Sequence, residues 1–308
     1  MDKKRTAFAN RICNEKSYLQ MELLSDLHIA FPRQNAKLEA ALEDIWKRKV
    51  RHVAICGDLT NNGYPFQMKQ VLTQLQEFPI HILPALGNHD LYNLFSHTQN
   101  RIHPEYRKLL PRHAESIYFD RYVEGVHFYI LNSERPSKND MILTKKQVDW
   151  LVNGLKKDDK NKTGCIIAHQ CRKKKTPVCI IAHQPLQDTH VMSEDHTGTQ
   201  QHLQVDMLKD VHPHIIFISG HLHNSFALCE VLARRNLFLI NLPSFVRIEH
   251  GDSQDQIGFH LRFYADFLYL RTRDYKNRRW IVSHEYILDM KTSEVISFDA
   301  DLLPSAPL

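Results

Sequence analysis

The sequence predicts one α/β domain in which parallel strands are covered by helices, and two observations predict it. Between residues 21 and 90 three short apolar runs each end in a polar group, with amphipathic segments between them. Parallel strands with crossover helices require that alternation. No Pro-, Gly- or Ser-rich linker divides the 308 residues, a length that buries a full core.

Met21–Ser25 reads as the first strand, ending at Asp26. Residues 35–49 have a helical period, with Leu38, Leu42, Ile45 and Trp46 on one side and lysine and arginine on the other. Val53–Cys56 is the second strand. Pro65 can open a helix carrying Met68, Val71, Leu72 and Leu75, because its fixed φ suits the first helical position. Ile80–Leu86 is the third strand. Residues 91–113 are polar and irregular, with helical portions. Ser116–Phe119 and Val126–Asn132 flank Glu124-Gly125 and read as paired strands. Thr144 can cap a helix whose apolar face is Val148, Leu151, Val152 and Leu155. Cys165–Ala168, Val178–Ala182 and Ile215–Ser219 are further strands, with a helix near 200–210. The chain then turns strand-rich, with Phe226–Cys229, Leu237–Ile240, Ile257–Phe263, Phe267–Thr272 and Trp280–Ser283. The domain is expected to span 18–290, with 291–308 a tail that frays.

The net charge of +5 comes from 40 basic and 35 acidic residues, which is mild for this length. It excludes a dedicated nucleic-acid binder and leaves small anionic substrates open. The longest basic run, Arg172–Lys175, reads as a solvated loop. Six cysteines (13, 56, 165, 171, 179 and 229) form no CxxC pair, and most lie beside apolar runs, which fits reduced, buried thiols. Met1–Arg5 is basic, but Asn10, Arg11, Asn14, Glu15 and Lys16 interrupt the segment that follows, so no export signal is expected. No apolar run approaches the roughly 20 residues of a membrane span. A cytoplasmic protein without membrane attachment is the expectation.

Seven candidate metal ligands fall in fixed order along this frame. They are Asp26 and His28 in Asp26-Leu27-His28, Asp58 after Gly57, Asn88 in Gly87-Asn88-His89-Asp90, His183 after Ala182, and His221 and His223 in Gly220-His221-Leu222-His223. Alone, each is more often a turn residue or a hydrogen-bonded histidine. Together, with four of the five groups directly after an apolar run, they form the carboxylate, imidazole and amide set that two neighbouring cations need. In extended backbone the period of two would send both polar side chains of Asp26-Leu27-His28 one way and the leucine the other. The same holds for His221-Leu222-His223. Asp58 carries two oxygens and can bridge both ions. The arrangement implies metal-assisted attack on phosphorus.

These motifs resemble the calcineurin-like metallophosphoesterase superfamily, and within it the bacterial cyclic-nucleotide phosphodiesterase-like branch, from Met21 to His223. Gly57-Asp58-Leu59-Thr60-Asn61 resembles a Gly-Asp-Leu-Thr stretch common there. The resemblance implies a four-layered αββα sandwich with two mixed central sheets and a site at the strand ends. It assigns Asp26, His28, Asp58 and His223 to one metal, and Asp58, Asn88, His183 and His221 to the other. The ions would be divalent or trivalent iron, manganese or zinc, and the nucleophile a hydroxide that they activate. His89 would act as general acid, with Asp90 orienting its imidazole. Position 61 is asparagine where purple acid phosphatases carry a metal-bound tyrosine, so no iron–tyrosinate colour is expected.

By that resemblance the expected function is a phosphodiesterase for cyclic nucleotides or similar small phosphodiesters. The alternatives are a phosphomonoesterase for nucleotides or phosphoprotein, then a DNA nuclease, then a non-catalytic scaffold. A small phosphate ester is the expected partner, nucleic acid is not, and a strand edge after residue 253 offers a route to a homo-oligomer. Loops 61–66, 91–113, 134–142, 185–200 and 242–253 are expected to set specificity, with Tyr64, His190, His196 and Arg247 as wall residues. Finally, Cys165–Gln170 recurs as Cys179–Gln184, so His169 and His183 compete for one ligand position. The seven residues Cys171–Pro177 between Gln170 and the strand opening at Val178 are too few for a parallel crossover, so two neighbouring strands there would be antiparallel. Pro185-Leu186 after His183 matches the family, and His183 is chosen.

Overall fold

The computed structural model describes residues 3–30, 32–93, 104–111, 114, 116–160, 176–194, 203–246, 249, 251 and 255–298. The strands are β1 Leu19–Leu24, β2 His52–Cys56, β3 His81–Ala85, β4 Phe119–Val123, β5 Val126–Ile130, β6 Val178–Ile181 and β7 Ile215–Ser219. They continue with β8 Val231–Arg234, β9 Leu237–Asn241, β10 Ile257–Phe263, β11 Phe267–Asp274, β12 Arg279–Asp289 and β13 Glu294–Phe298. Among the helices, α1 is Lys3–Asn14, α2 Pro32–Lys47, α3 Pro65–Gln76, α4 Asn88–Leu91, α5 Pro104–Arg107, α6 Lys145–Lys160 and α7 Val205–Leu208. None of the helices described is long and apolar enough to cross a membrane.

Two mixed sheets stack face to face, in the orders β13-β12-β11-β10-β1-β2-β3 and β4-β5-β6-β7-β9-β8. The period of two along each strand builds the layers. Met21 and Leu23 from β1, with Cys179 and Ile181 from β6, point into the core between the sheets. Leu24, Val53 and Ile55 face outward under α2 and α3. Val178 and Ile180 face outward under α6. The expected four-layered αββα sandwich is therefore the observed one. In α2, Leu38, Ala41, Leu42 and Ile45 are buried, whereas Trp46 is exposed. Pro65 occupies the first turn of α3, as expected. The Thr144 hydroxyl accepts the Gln147 N–H at the start of α6, as the cap expectation required.

Some boundaries differ from the sequence reading. The hairpin's first strand is Phe119–Val123, beginning where 116–119 was expected to end. Glu124 (φ 47°) and Gly125 (φ 84°) are both left-handed, so a two-residue turn closes Val123 onto Val126 and fixes the register from there. Asp120, Arg121 and Tyr122 disguise this strand because all three are exposed, so its burial does not alternate. Phe226–Leu228 is a 3-10 turn where a strand was expected, and the strand is Val231–Arg234. A four-residue apolar run has too little period to distinguish the two. The segment read as a tail carries β13, which pairs with β12. Phe298 from β13 packs in one cluster with Phe8, Ala9 and Ile12 of α1. The edge strands β13 and β8 of the two sheets also pack together. Both edges of β6 are taken, by β5 and β7, in parallel register. His169 and the first copy of the hexapeptide lie outside the described residues.

A buried ionic network ties α2 to the sheet. Glu22 projects from β1 on the face away from the inter-sheet core and is fully buried. It meets Arg48 Nη1 at 2.6 Å, His260 Nδ1 at 2.8 Å and the Tyr275 hydroxyl at 2.7 Å. Arg273 pairs with Asp44 at 2.6 Å, and Arg48 lies 5.1 Å from the Trp280 ring centre. Burial opposes ionisation of Glu22, but the charges and hydrogen bonds from His260 and Arg48 outweigh it and hold the carboxyl at about 2. Burial lowers His260 as well, and the Glu22 charge opposes that shift. The Glu22 contribution is then full above pH 4.5 and is lost as pH falls toward 2. Glu22→Gln should lower stability at neutral pH by about 2 kcal/mol, because Arg48 then keeps only Asp44 as a charged partner. The gap from wild type should narrow steadily as pH falls from 4.5 toward 2. Urea unfolding between pH 2.5 and 7 measures it, and a gap that does not change with pH would refute the assignment.

Candidate metal centre

Five strand ends deliver the site. β1, β2 and β3 come from one sheet and β6 and β7 from the other, and all five point their carboxyl ends to the same place. Ligands in open α/β sheets gather there because the loops diverge and leave a crevice. The loops are fastened to one another by main-chain bonds. Asp26 N donates to Gly57 O (3.2 Å), His28 N to Asp58 O (2.8 Å) and Gly220 N to His183 O (2.9 Å).

The backbone at these ends is not extended, which corrects the expectation for the Asp-Leu-His and His-Leu-His groups. Asp26 (φ 56°), His28 (44°), Asp58 (50°), His221 (72°) and His223 (50°) are all left-handed. Each such residue costs about 1–2 kcal/mol over the right-handed form. The cost is accepted because the chain must turn sharply off the sheet to aim side chains across it. Leu27 and Leu222 are nevertheless buried. Gly57 (φ 87°) approaches the His183 ring so closely that a Cβ would sit 2.5 Å from Nδ1. A Cβ on Gly87 would overlap the Asp58 carboxylate.

All seven candidate ligands converge. His28 Nε2 lies 3.5 Å and His183 Nε2 3.3 Å from Asp58 Oδ2, so that oxygen stands between two groups. On one side Asp26 Oδ1 is 3.2 Å from His223 Nε2, which is 3.0 Å from His28 Nε2. One ligand atom each from Asp26, His28, Asp58 and His223 falls within 4.8 Å of the others. On the other side His183 Nε2 is 3.1 Å from Asn88 Oδ1 and 3.3 Å from His221 Nδ1. His183 Nδ1 donates to Cys56 O at 2.6 Å, which fixes its ring.

The donor chemistry fits cations. Asp26 Oδ1 and Asp58 Oδ2 are buried without a hydrogen-bond partner, an expensive state for a carboxylate oxygen. Burial holds His28 at about 4 and His221 at about 3, so both rings are neutral and offer a lone pair. Burial works against a proton on His183 too, but the negative charges of Asp58 and Asp26 carry it up to about 9. A cation bound there would take that proton's place. The nitrogen and oxygen set suits first-row transition ions and does not select one.

His89 is positioned differently from the expectation. Its Nδ1 faces the Asn61 carbonyl at 2.7 Å, and its ring meets His28 edge-on at 4.6 Å. With Nδ1–H donated to that carbonyl, Nε2 is left to exchange a proton. Asp90 does not orient it, and that expectation is corrected. Fully buried Asp90 accepts N–H bonds from Leu59 (3.1 Å), Thr60 (2.8 Å) and Gly87 (3.0 Å), and the Thr60 hydroxyl at 2.7 Å. It is a brace between the Gly57–Asn61 loop and the turn of α4, because its short side chain reaches the backbone and not the ring.

A cleft of ≈ 380 Å³ opens over Asp58, Asn88, His89, His221 and His223. Tyr92, Lys138, Asn139, Met192 and Glu249 form its walls. These lie in loops expected to set specificity, but the individual residues were missed because loop membership does not give direction. Of the expected wall residues, His190 is buried and Tyr64 lies outside the lining. His196 and Arg247 are outside the described residues.

The profile of the calcineurin-like phosphoesterase family matches residues 23–225, and the chain belongs to that family, whose chemistry is metal-dependent phosphoester hydrolysis. No curated protein matches the sequence. Among solved structures it is similar to a dimetal phosphatase from Danio rerio at 14% identity and TM-score 0.64, covering 89% of this chain and 100% of that one. It is also similar to a purple acid phosphatase from yellow lupin seeds at 13% identity and TM-score 0.58, covering 94% of this chain and 57% of that one. A third is GAP50, the anchor in the inner membrane complex of Plasmodium, at 13% identity and TM-score 0.52, covering 91% and 88%. Identities this low establish the fold alone.

The geometry separates His89 from Asp90 experimentally. Asp90→Ala removes four hydrogen bonds from a buried loop and should cost about 2–4 kcal/mol of stability. The pH–rate profile of the remaining activity should keep its wild-type limbs. A displaced limb with unchanged stability would restore Asp90 as the partner of His89.

Proposed function

We propose that this protein hydrolyses small phosphodiesters, cyclic nucleotides or compounds like them, at a centre of two transition ions. The observation that carries the reading is Asp58 Oδ2, buried, without a hydrogen-bond partner and flanked by His28 and His183. Asp26, His28, Asp58 and His223 would hold one ion, and Asp58, Asn88, His183 and His221 the other. When bound, two such ions supply the Lewis acidity that activates water near neutral pH and neutralises phosphoryl charge.

The chain's own residues do the rest. His89 Nε2, on the cleft floor, delivers a proton to the departing ester oxygen, while the Asn61 carbonyl holds the ring in place. Asn88 is itself oriented, its Nδ2 donating to Lys138 O at 2.6 Å. Glu249 on the wall disfavours the second negative charge of a monoester, and Tyr92 and Met192 offer none to match it. This supports the diester reading. Lys138 supports the runner-up, a phosphomonoesterase, because its ammonium suits a dianion.

Metal-loaded protein should carry about two ions per chain and cleave bis(p-nitrophenyl) phosphate faster than p-nitrophenyl phosphate. Asn88→Ala should lower the occupancy of one ion. His89→Ala should keep both and lose on the order of 10²–10⁴ in rate. Turnover of the monoester alone would move the assignment to the runner-up, and a single ion under metal-replete conditions would end the two-ion reading.

A further inference from the structure

The turn Asp188–Ser193 follows the His183 strand end and reaches the cleft wall with Met192. Its construction is elaborate for a surface loop. Ser193 is fully buried, and its hydroxyl accepts the N–H groups of Thr189 and His190, both at 2.9 Å, while donating to His190 O at 2.7 Å. Ser193 O also accepts the Asp188 N–H at 3.1 Å, and Ser193 N donates to His190 O at 3.0 Å. Thr189 Oγ1 donates to Leu186 O, and Arg234 Nη2 reaches Thr189 O at 3.4 Å. Every one of these bonds tightens the turn from beneath.

On its outer side the turn carries two apolar residues, Val191 at 52% and Met192 at 37% exposure. Met192 has φ 70°, a left-handed backbone that a long unbranched side chain rarely adopts. The hydrogen bonds of the turn hold the residue in this conformation. Non-glycine residues held this way cluster at ligand-contacting sites. Elsewhere on the cleft wall, Tyr92 is 39% exposed and doubly fixed. Its ring lies 5.1 Å from His89, and its hydroxyl accepts from Asn88 Nδ2 at 3.4 Å. Leu222 extends the apolar surface on the wall. A cleft of ≈ 380 Å³ lies near the lower end of small-molecule sites, about 300–1,000 Å³, so it has space for an ester group beside a phosphate.

We infer that Met192 and Tyr92 form an apolar grip for the organic group of the substrate, and that this grip selects esters of flat, aromatic alcohols or nucleosides over esters of small polar ones. The thioether is suited to an aromatic ring, since sulfur is polarisable and adapts its shape, and Tyr92 offers a ring face or edge. The stapled turn keeps the methionine in place before substrate arrives, so less ordering accompanies binding. This inference rests on the phosphoester hydrolase reading and names the substrate class for it.

The test uses Met192→Gly in the full chain. Glycine accepts φ 70° without strain, so the turn keeps its shape while the side chain is lost. KM for bis(p-nitrophenyl) phosphate should rise about tenfold with kcat unchanged, the size expected for losing part of an apolar contact. Val191→Ala, beside it but off the cleft wall, should change neither. A second arm needs no turnover. In protein labelled at its methionine methyl groups, the Met192 signal, identified by its absence in Met192→Gly, should shift on adding phenylphosphonate and stay put with methylphosphonate. Equal responses to the two phosphonates, or to neither, would overturn the inference, as would an unchanged KM in Met192→Gly. A wild-type protein that hydrolyses no phosphate ester would defeat the proposed function, while the methyl shift would still decide the grip.

Discussion

Asp58 lies fully buried where the carboxyl ends of the two sheets meet, and an ionised carboxylate in that position needs positive charge beside it. The immediate neighbours supply little of it. Burial keeps His28 neutral, so the compensation falls to one proton on His183 or to a bound cation. Much of the local construction follows from making room for this group. Gly57 and Gly87 leave out side chains that would collide with the His183 ring and with the carboxylate itself. The strand ends turn left-handed to direct ligands across the gap, and Asp90 braces the loop that bears Asp58. These features cost stability, and the apolar layers on either side offset that cost. A site that departs from local rules inside a frame that obeys them is the usual mark of function.

How far the sequence could be read depends on which physical signal each part carries. β2, β6 and β7 are near-continuous apolar runs ending in glycine or polar residues, so their existence and their ends were both legible. The seven candidate ligands were legible because residue type and order are the chemistry, and the structure brings them together. The backbone that presents them was not, since left-handed aspartate and histidine leave no trace in composition. Asp90 was misread for a related reason. Adjacency to His89 suggests a partner, but the turn of α4 sends the carboxylate toward Thr60 and Gly87. β4 was shifted because an edge strand with Asp120, Arg121 and Tyr122 all exposed lacks the apolar alternation of a core strand. Met192 and Glu249 could not be singled out, as nothing in a loop's residues states which side faces a cleft.

The likeness to two phosphatases and to an anchor protein at similar TM-scores shows that this architecture hosts more than one role. What distinguishes this chain is therefore the side chains at its strand ends and not the sandwich beneath them. The shared frame fixes where a site can be. The walls, drawn from four separate loops, decide what can enter it.

The position of β1 has a consequence for synthesis. β1 lies between β2, the next strand made, and β10, which runs from Ile257 to Phe263. A nascent chain that has just passed His223 holds every candidate metal ligand, yet its first strand has an open edge and the Glu22 carboxylate lacks His260 and Tyr275. Long-range pairing of this kind is slow to form and leaves backbone groups open to wrong partners until it does. The last strands, which carry none of the candidate ligands, thus determine when the frame of the site is complete. A ribosome stalled before residue 257 would be holding all seven candidate residues on an unfinished sheet.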